Sequence, residues 1–513
     1  MSTTSPFPKV EIRPRRSMLF YAVVSVVMVI VSYLFVVVLA AACVYLPYLL
    51  ITGNGSGGLQ SLVLFLFGIA IACTMLWSLV PRLDRFKPPG LLLDSAAQPR
   101  LFAELTNIAA SLDQPMPSEV YLIGEVNAWV ADRGGFMGIG SRRIMGLGLP
   151  LLSILTVSQF RAVLVHEFAH YYGGDTRLGP WVYKTQTAIV RVFQNIGSVG
   201  QFAKLAVLGI MYVAVTTLMR WYFVVFLRAI NLISRKKEYR ADELACLVAG
   251  AQPLVDGLRA IHGAAKAWPT YWETEIVPLI NEGALPGVAE GFSRFISVSE
   301  IHGQIEKILE KEIREARSNP YDSHPPLRDR ISAARIFPSG VLPEDTQPAR
   351  ALLSHLEEAE LRFLEIANPK LKPGTLKIVR WDDVGSQVTI STWKKYAAEH
   401  SAILQGVTVE SLPSRIPRLR DIGFEIPDPK GMLLSPEQRT QRAAGLFAVG
   451  LGLSLLENGW TLHKGPGTFH LQHGEIRLNP FLVIEQLQSG KLSPQDWESQ
   501  CRSWGISGFS FSK

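Results

Sequence analysis

Two histidines with a glutamate directly after the first, His166-Glu167-Phe168-Ala169-His170, carry the densest chemistry in the sequence. On a helix, residues i and i+4 share a face, so both imidazoles project together a turn apart and Glu167 stands beside them. That spacing suits two zinc ligands and a general base. Catalytic zinc takes three protein ligands and keeps a further position open, so one more donor is required. Ser234-Arg-Lys-Lys-Glu238-Tyr-Arg-Ala-Asp242 offers it, with Glu238 lying 68 residues beyond His170. Asp242, one turn further along the same face, is placed to accept a hydrogen bond from the free ring nitrogen of His166 and fix its tautomer. Asp175 is expected to do the same for His170. The bland alternative for Glu238 and Asp242 is a solvated helix face paired with neighbouring Lys and Arg residues; the upstream motif weighs against it. The set predicts one Zn2+ per chain and peptide-bond hydrolysis, with Glu167 taking a proton from the attacking water and passing it to the leaving amine.

These residues need elements to hold them. Thr156-Val-Ser-Gln159 has the capping-box pattern, and Val157, Phe160, Val163, Leu164 and Phe168 recur at helical spacing until Gly173-Gly174. A helix is expected over Arg100 to Leu112, where Leu101, Leu105, Ile108, Ala109 and Leu112 share one face. Between them, Glu119 to Ile123, Val126 to Ala131 and Arg143 to Leu152 read as strands of a small sheet, with a turn at Gly134-Gly135.

The rest of the composition points to lipid. Of 513 residues 48% are hydrophobic and 19% charged, with a mean hydropathy of +0.19, which excludes a disordered chain and an ordinary soluble enzyme. Ser17 to Pro81 is a run of 65 residues without Asp, Glu, Lys, Arg or His, long enough to cross a bilayer twice. Thr52 to Gly58 divides it into a hairpin of two spans. Lys9, Arg13, Arg15 and Arg16 precede the first span and Arg82, Arg85 and Lys87 follow the second, so both ends face the cytoplasm. A cleaved signal peptide would have a far shorter apolar run. Leu205 to Leu227 is a further apolar stretch containing only Arg220. Glu238 must reach the same ion as His166 and His170, so crossings between them must be even in number. Either Trp181 to Gly200 is the weaker partner of a second hairpin, which is the preferred reading, or the stretch lies at the interface, as the polar stripe Thr217, Arg220, Arg228, Asn231, Arg235 would also allow.

The net charge is +7, but the basic residues flank apolar segments and form no aromatic-laced stripe, so no nucleic acid is expected. Cys43, Cys73, Cys246 and Cys501 are too scattered for a disulfide framework and fit a reducing compartment. Pro338, Pro343 and Pro348 punctuate a linker. Beyond it Ala443 to Leu456 reads as a buried helix, and His470 and His473 lack neighbours that would make a metal site.

Taken together, HEFAH followed by Asp175, SRKKEYRAD, the two-span anchor, Asn127-Ala128 upstream and Ser323-His324-Pro-Pro-Leu-Arg-Asp-Arg330 downstream resemble the membrane-embedded gluzincins that include HtpX and the CAAX prenyl proteases. The resemblance covers roughly residues 18 to 335. It implies that Asn127 and Ala128 belong to an edge strand pairing with substrate backbone, and that His324 donates to the oxyanion of the tetrahedral intermediate. The expected fold is a membrane α+β protein. Its parts are a basic tail (1–17), a transmembrane helical hairpin (18–80), a mainly helical zincin-type catalytic domain with a small sheet (81–340, with a membrane-associated insert at about 181–233), and a further α+β domain (349–513). The expected function is that of an integral membrane, multi-pass zinc endopeptidase. Its catalytic domain faces the cytoplasm, in a bacterial inner membrane, and it acts on misfolded or membrane proteins. A CAAX-type prenyl-protein protease is the nearest alternative, disfavoured because the apolar segments are too few for the larger chamber that activity accompanies. A non-catalytic scaffold on the same fold is the other.

Overall fold

The structure, a computed structural model, describes all residues except 1–6, 8–15, 54–57, 85, 136–139, 172–178, 202–205, 318, 320, 339, 373, 430–431 and 512–513. The chain is mostly helical with small sheets and divides into two compact units, Met1–Ala265 with Glu306–Leu356, and Lys266–Ile305 with Glu357–Lys513.

The first unit begins with α1 (Arg16–Gly53) and α2 (Leu59–Leu79). Among the described residues three helices are long and apolar enough to cross a membrane: Val23–Thr52, Leu59–Leu79 and Ala206–Ala249. They are joined by α6 (Gly179–Gly200), a helix carrying Lys184 and Arg191, and the last of them is α7 (Ala206–Ala249). All four share one core in which Val36, Ile71, Val192, Met219 and Phe226 are buried. Polar contacts tie the same helices together. Ser32 Oγ lies 2.7 Å from Tyr222 Oη, and Arg191 and Asn195 both bond to Ser78, at its carbonyl and its hydroxyl. Gly68 lets α1 and α2 approach, since a Cβ there would run into the Cys43 carbonyl.

Between α2 and α6 in the chain comes a mixed sheet of β1 (Leu91–Leu92), β2 (Glu119–Ile123), β3 (Ala128–Arg133) and β4 (Arg142–Gly148), in the order β1-β2-β4-β3. β2 and β4 are parallel, and β3 runs antiparallel to β4 with Val130 opposite Met145. β3 therefore forms an edge. α3 (Pro99–Ser111) buries Leu101, Leu105, Ile108 and Ala109, the face its periodicity indicated. One expectation fails here. The strand read as far as Leu152 stops at Gly148, and Leu149–Ile154 is a short helix, α4, with Pro150 in its first turn. No polar side chain interrupts 144–152, so hydrophobicity gave no boundary; proline's fixed φ and missing N–H favour a helix start and end strand pairing. The catalytic-motif helix, α5, spans Val157–Ala169.

The second unit is built around the helix Pro436–Glu457, which contains the expected buried run and buries Leu446, Phe447, Leu451 and Leu455. A three-stranded meander follows, Thr461–Gly465, Thr468–His473 and Ile476–Leu478. Residues 266–305, which the sequence reading placed within 81–340, group with 357–513. Ala284–Leu285 pairs in parallel with Lys377–Ile378, and the buried Glu360 carboxylate accepts the backbone N–H groups of Val288 and Ala289 at 2.7 and 2.8 Å. Two-residue strands carry no readable periodicity, so this grouping was invisible to pattern reading.

Candidate metal centre

α5 is fixed at both ends. At its start the capping box closes, with Gln159 N donating to Thr156 Oγ1 at 3.3 Å and Thr156 N to Gln159 Oε1 at 3.0 Å, which satisfies two otherwise orphaned donors. In its second turn Arg161 makes a two-point ion pair with Glu104 of α3 at 2.8 and 2.9 Å. Its last turn delivers His166 and Glu167, and His170 forms the C-cap. His166, Glu167 and His170 hold one ligand-type atom each within 4.8 Å of one another.

α7 brings Glu238 against them. The two histidine Nε2 atoms are 3.2 Å apart, and the Glu238 carboxylate faces both, Oε2 lying 3.5 Å from His166 Nε2 and Oε1 3.4 Å from His170 Nε2. Donor atoms on a tetrahedral ion with bonds of about 2.0–2.1 Å stand roughly 3.3–3.4 Å from each other, so this triangle fits a zinc-sized cation. The local chemistry also calls for positive charge. Glu238 Oε2 is buried with no hydrogen-bond donor aligned on it, although His324 Nδ1 is 3.0 Å away and Arg330 Nη1 3.6 Å. Burial opposes charge on His166, but the Asp242 and Glu238 carboxylates outweigh it and hold the imidazole up at about 9. Burial and the neighbouring His166 push His170 down to about 3. Two facing imidazole nitrogens beside a carboxylate thus form a donor set that suits a divalent metal.

The surrounding groups are arranged in layers. Asp242 Oδ1 is 3.0 Å from His166 Nδ1. Both Asp242 oxygens also accept from the buried Arg330, Oδ1 from Nη2 at 2.6 Å and Oδ2 from Nε at 2.8 Å. Burial pushes the Glu167 carboxyl up to about 7, close to the range where a base takes and returns protons readily. His324 is exposed except where it faces Glu238, and that carboxylate raises its pKa. Asn127 is exposed, its carbonyl accepting from Gly148 N at 2.9 Å; Ala128, the first residue of β3, is buried. The structure therefore gathers His166, Glu167, His170, Glu238, Asp242 and His324, and puts Asn127 and Ala128 at the start of the edge strand. Asp175 lies outside the described residues.

Two contributors escaped sequence reasoning. Arg330 sits in the quoted SHPPLRDR segment without an assigned role; it shares the buried face of the helix Leu327–Ala334 with Leu327, Ile331 and Ala334, and an arginine at such spacing needs a buried carboxylate, which was the available signal. Tyr171, directly after His170, donates from its hydroxyl to the Val130 carbonyl on the edge strand at 2.8 Å and lies under the Arg143 guanidinium, 4.0 Å from its ring centroid. A lone tyrosine in a helix-end segment gives no such hint.

With this geometry in view, the relatives fall into place. Residues 95–336, a little under half of the chain, match peptidase family M48, and this match makes the chain a metalloprotease. Its curated relatives carry the name Protease HtpX. That of Idiomarina loihiensis is 25% identical over 341 residues, covering 62% of this chain and 98% of the relative. That of Acinetobacter baylyi is 24% identical over 42% of this chain and 74% of the relative, and that of Xylella fastidiosa 26% identical over 41% and 63%. No solved structure matches the chain. Together with the apolar helices, these relatives make it a membrane-associated protease.

Proposed function

We propose that the chain is an integral membrane zinc endopeptidase whose active site faces the cytoplasm and which degrades misfolded or membrane-inserted proteins. One observation carries the reading: the triangle of His166 Nε2, His170 Nε2 and the Glu238 carboxylate, with sides of 3.2 to 3.5 Å, beside a half-buried Glu167. His166, His170 and Glu238 would hold the zinc. When bound, the ion supplies Lewis-acid polarisation of the scissile carbonyl and of water. Glu167 removes the proton of the attacking water and returns it to the leaving amine, a role suited to a carboxyl raised to about 7. His324, at the open side of Glu238, donates to the developing oxyanion. Asp242 holds the Nδ1 side of His166 so that Nε2 keeps its lone pair for metal, and Arg330 holds Asp242. The backbone of β3 from Ala128 pairs with substrate backbone, which selects for extended chain over particular side chains and suits quality control.

The membrane arrangement follows from the same site. Glu238 shares it with His166 and His170, so α6 and α7 together return the chain to the side it left; their common core with α1 and α2 supports four crossings. The basic flanks support a cytoplasmic position for that side.

The test uses the full chain in detergent with a casein-like substrate. Wild type should cleave it, and Glu167→Gln should lose about 10² to 10⁴-fold in kcat while keeping its metal, since the residue moves protons and does not ligate. Near-wild-type turnover by Glu167→Gln would overturn the mechanism.

A further inference from the structure

α7 does more than present Glu238. Phe223, Leu227, Ile230, Asn231, Ser234 and Lys237 fall within about 120° of one helical face, and Glu238 lies in the same sector. That face borders a cavity of about 720 Å³, within the range of about 300–1,000 Å³ usual for ligand sites. Its other walls include Ser25 of α1 and Gln186 of α6, and its rim is formed by Asn319, Tyr321, Asp322 and Ser323; the next residue, His324, touches Glu238.

The rim is fastened to α7 itself. Arg228 donates to the Tyr321 hydroxyl at 2.9 Å and covers its ring, and Arg235 donates to the Asp322 carbonyl at 2.9 Å. Cavity and metal centre are therefore bounded by the same two segments, one after the other. Leu227 to Glu238 is about 16 Å along a helix, the length of about five residues of extended chain. The lining changes on the way. Its far end is apolar, at Phe223, Leu227 and Ile230; the end nearer Glu238 carries one further apolar residue, Ile233, among Asn231, Ser234, Lys237 and Asp322. The opposite side of α7 exposes Leu218, Trp221 and Val225 outward, so the cavity is on the inner side of a helix apolar enough to lie in lipid.

We propose that this cavity binds an apolar stretch of substrate polypeptide next to the scissile bond, and so selects chains that carry membrane-type sequence. The polar end is suited to backbone approaching the catalytic groups, and the apolar end to a few aliphatic side chains drawn from the bilayer. The inference rests on the zinc endopeptidase reading and extends it to the substrate class.

Two peptides test it, sharing one cleavage sequence but flanked by either a five-residue Leu/Val run or a Ser/Gly run. In full-length Glu167→Gln protein, a benzoylphenylalanine crosslinker at Leu227 should capture the apolar peptide well above the polar one, and a crosslinker at Trp221 on the outer face should capture neither. Equal capture of both peptides at Leu227, or capture of lipid alone, would overturn the proposal. With Glu167 intact, Leu227→Trp should lower kcat/KM for the apolar peptide about tenfold more than for the polar one, through KM, the scale on which hydrophobic pockets discriminate; equal losses count against it. If wild type cleaves neither peptide and holds no zinc, the peptidase reading fails, while the crosslinking pattern still decides the pocket.

Discussion

Each unit of the molecule contains a histidine pair, and only one of the pairs is built to hold an ion. In the first unit His166 and His170 meet nearly edge to face, ring centroids 4.8 Å apart at 87°, with the Nε2 atoms pointing at each other. In the second unit His463 and His470 sit directly opposite on antiparallel strands, with centroids 5.1 Å apart, but the rings are stacked at 13°. Imidazole lone pairs lie in the ring plane. Stacked rings aim theirs along parallel planes, and no single ion can use both; the helical i, i+4 pair converges, and a carboxylate from α7 completes it. Proximity of two histidines is thus a poor guide to metal binding, and the element that carries them decides.

The sharpest way to break this contrast is metal analysis. Wild type should hold one zinc per chain. Glu238→Ala and His170→Ala should each lower zinc affinity by more than about 100-fold, beyond what loss of an outer partner costs. The double variant His463→Ala, His470→Ala should keep full stoichiometry. Wild-type affinity in Glu238→Ala would falsify the third-ligand assignment.

The same contrast shows what the sequence could tell. HExxH was legible because helical spacing alone converts residue order into shared direction, and the capping box at Thr156 marked where that helix begins. Glu238 and Asp242 were legible as a spacing on a helix, and their approach to α5 was inferred from chemistry: three ligands were needed. His463 facing His470 was not legible, because cross-strand register depends on a two-residue turn at Pro466-Gly467, and a slip of one residue would have put the rings on opposite faces. His470 and His473, the pair that stands out in the sequence, are three apart on a strand and so project to opposite sides; His473 instead stacks on Trp460. Arg330 and the grouping of 266–305 with 357–513 depend on long-range partners that no local pattern encodes.

A second prediction sharpens the difference in support. His166 has Asp242 at its far nitrogen, and Asp242 in turn is gripped by Arg330. Asp242→Asn keeps the shape but removes the charge, leaving Arg330 buried without its carboxylate and His166 free to choose the wrong tautomer. Zinc affinity should fall about 10 to 100-fold, and zinc-loaded protein should retain the same ligands by X-ray absorption. An unchanged affinity would mean that Asp242 serves only to bury Arg330.

The smallest effect concerns acid. Burial lowers the pKa of His470 below its ordinary 6.5, and the neighbouring His463 and Arg477 add to this. The folded hairpin therefore keeps His470 neutral at a pH where the unfolded chain would take up a proton. Its contribution to stability is intact above about pH 6.5 and is lost as pH falls through the depressed folded value, because protons then favour the unfolded state. The imidazole is only partly covered, so solvent screens the effect and the loss should be modest. Deuteration of the imidazole C2 position, followed by mass spectrometry across pH 4 to 8, reads the midpoint in the full-length protein. His470 should titrate below 6.5 and move part of the way back in His463→Gln, burial remaining. A midpoint that stays in place when His463 is removed would show that the stacked ring adds no repulsion, leaving burial and Arg477 to account for the shift. In the metal centre the corresponding pair has a carboxylate, Glu238, beside both rings; in the hairpin the cation that adds to the effect on His470 is Arg477.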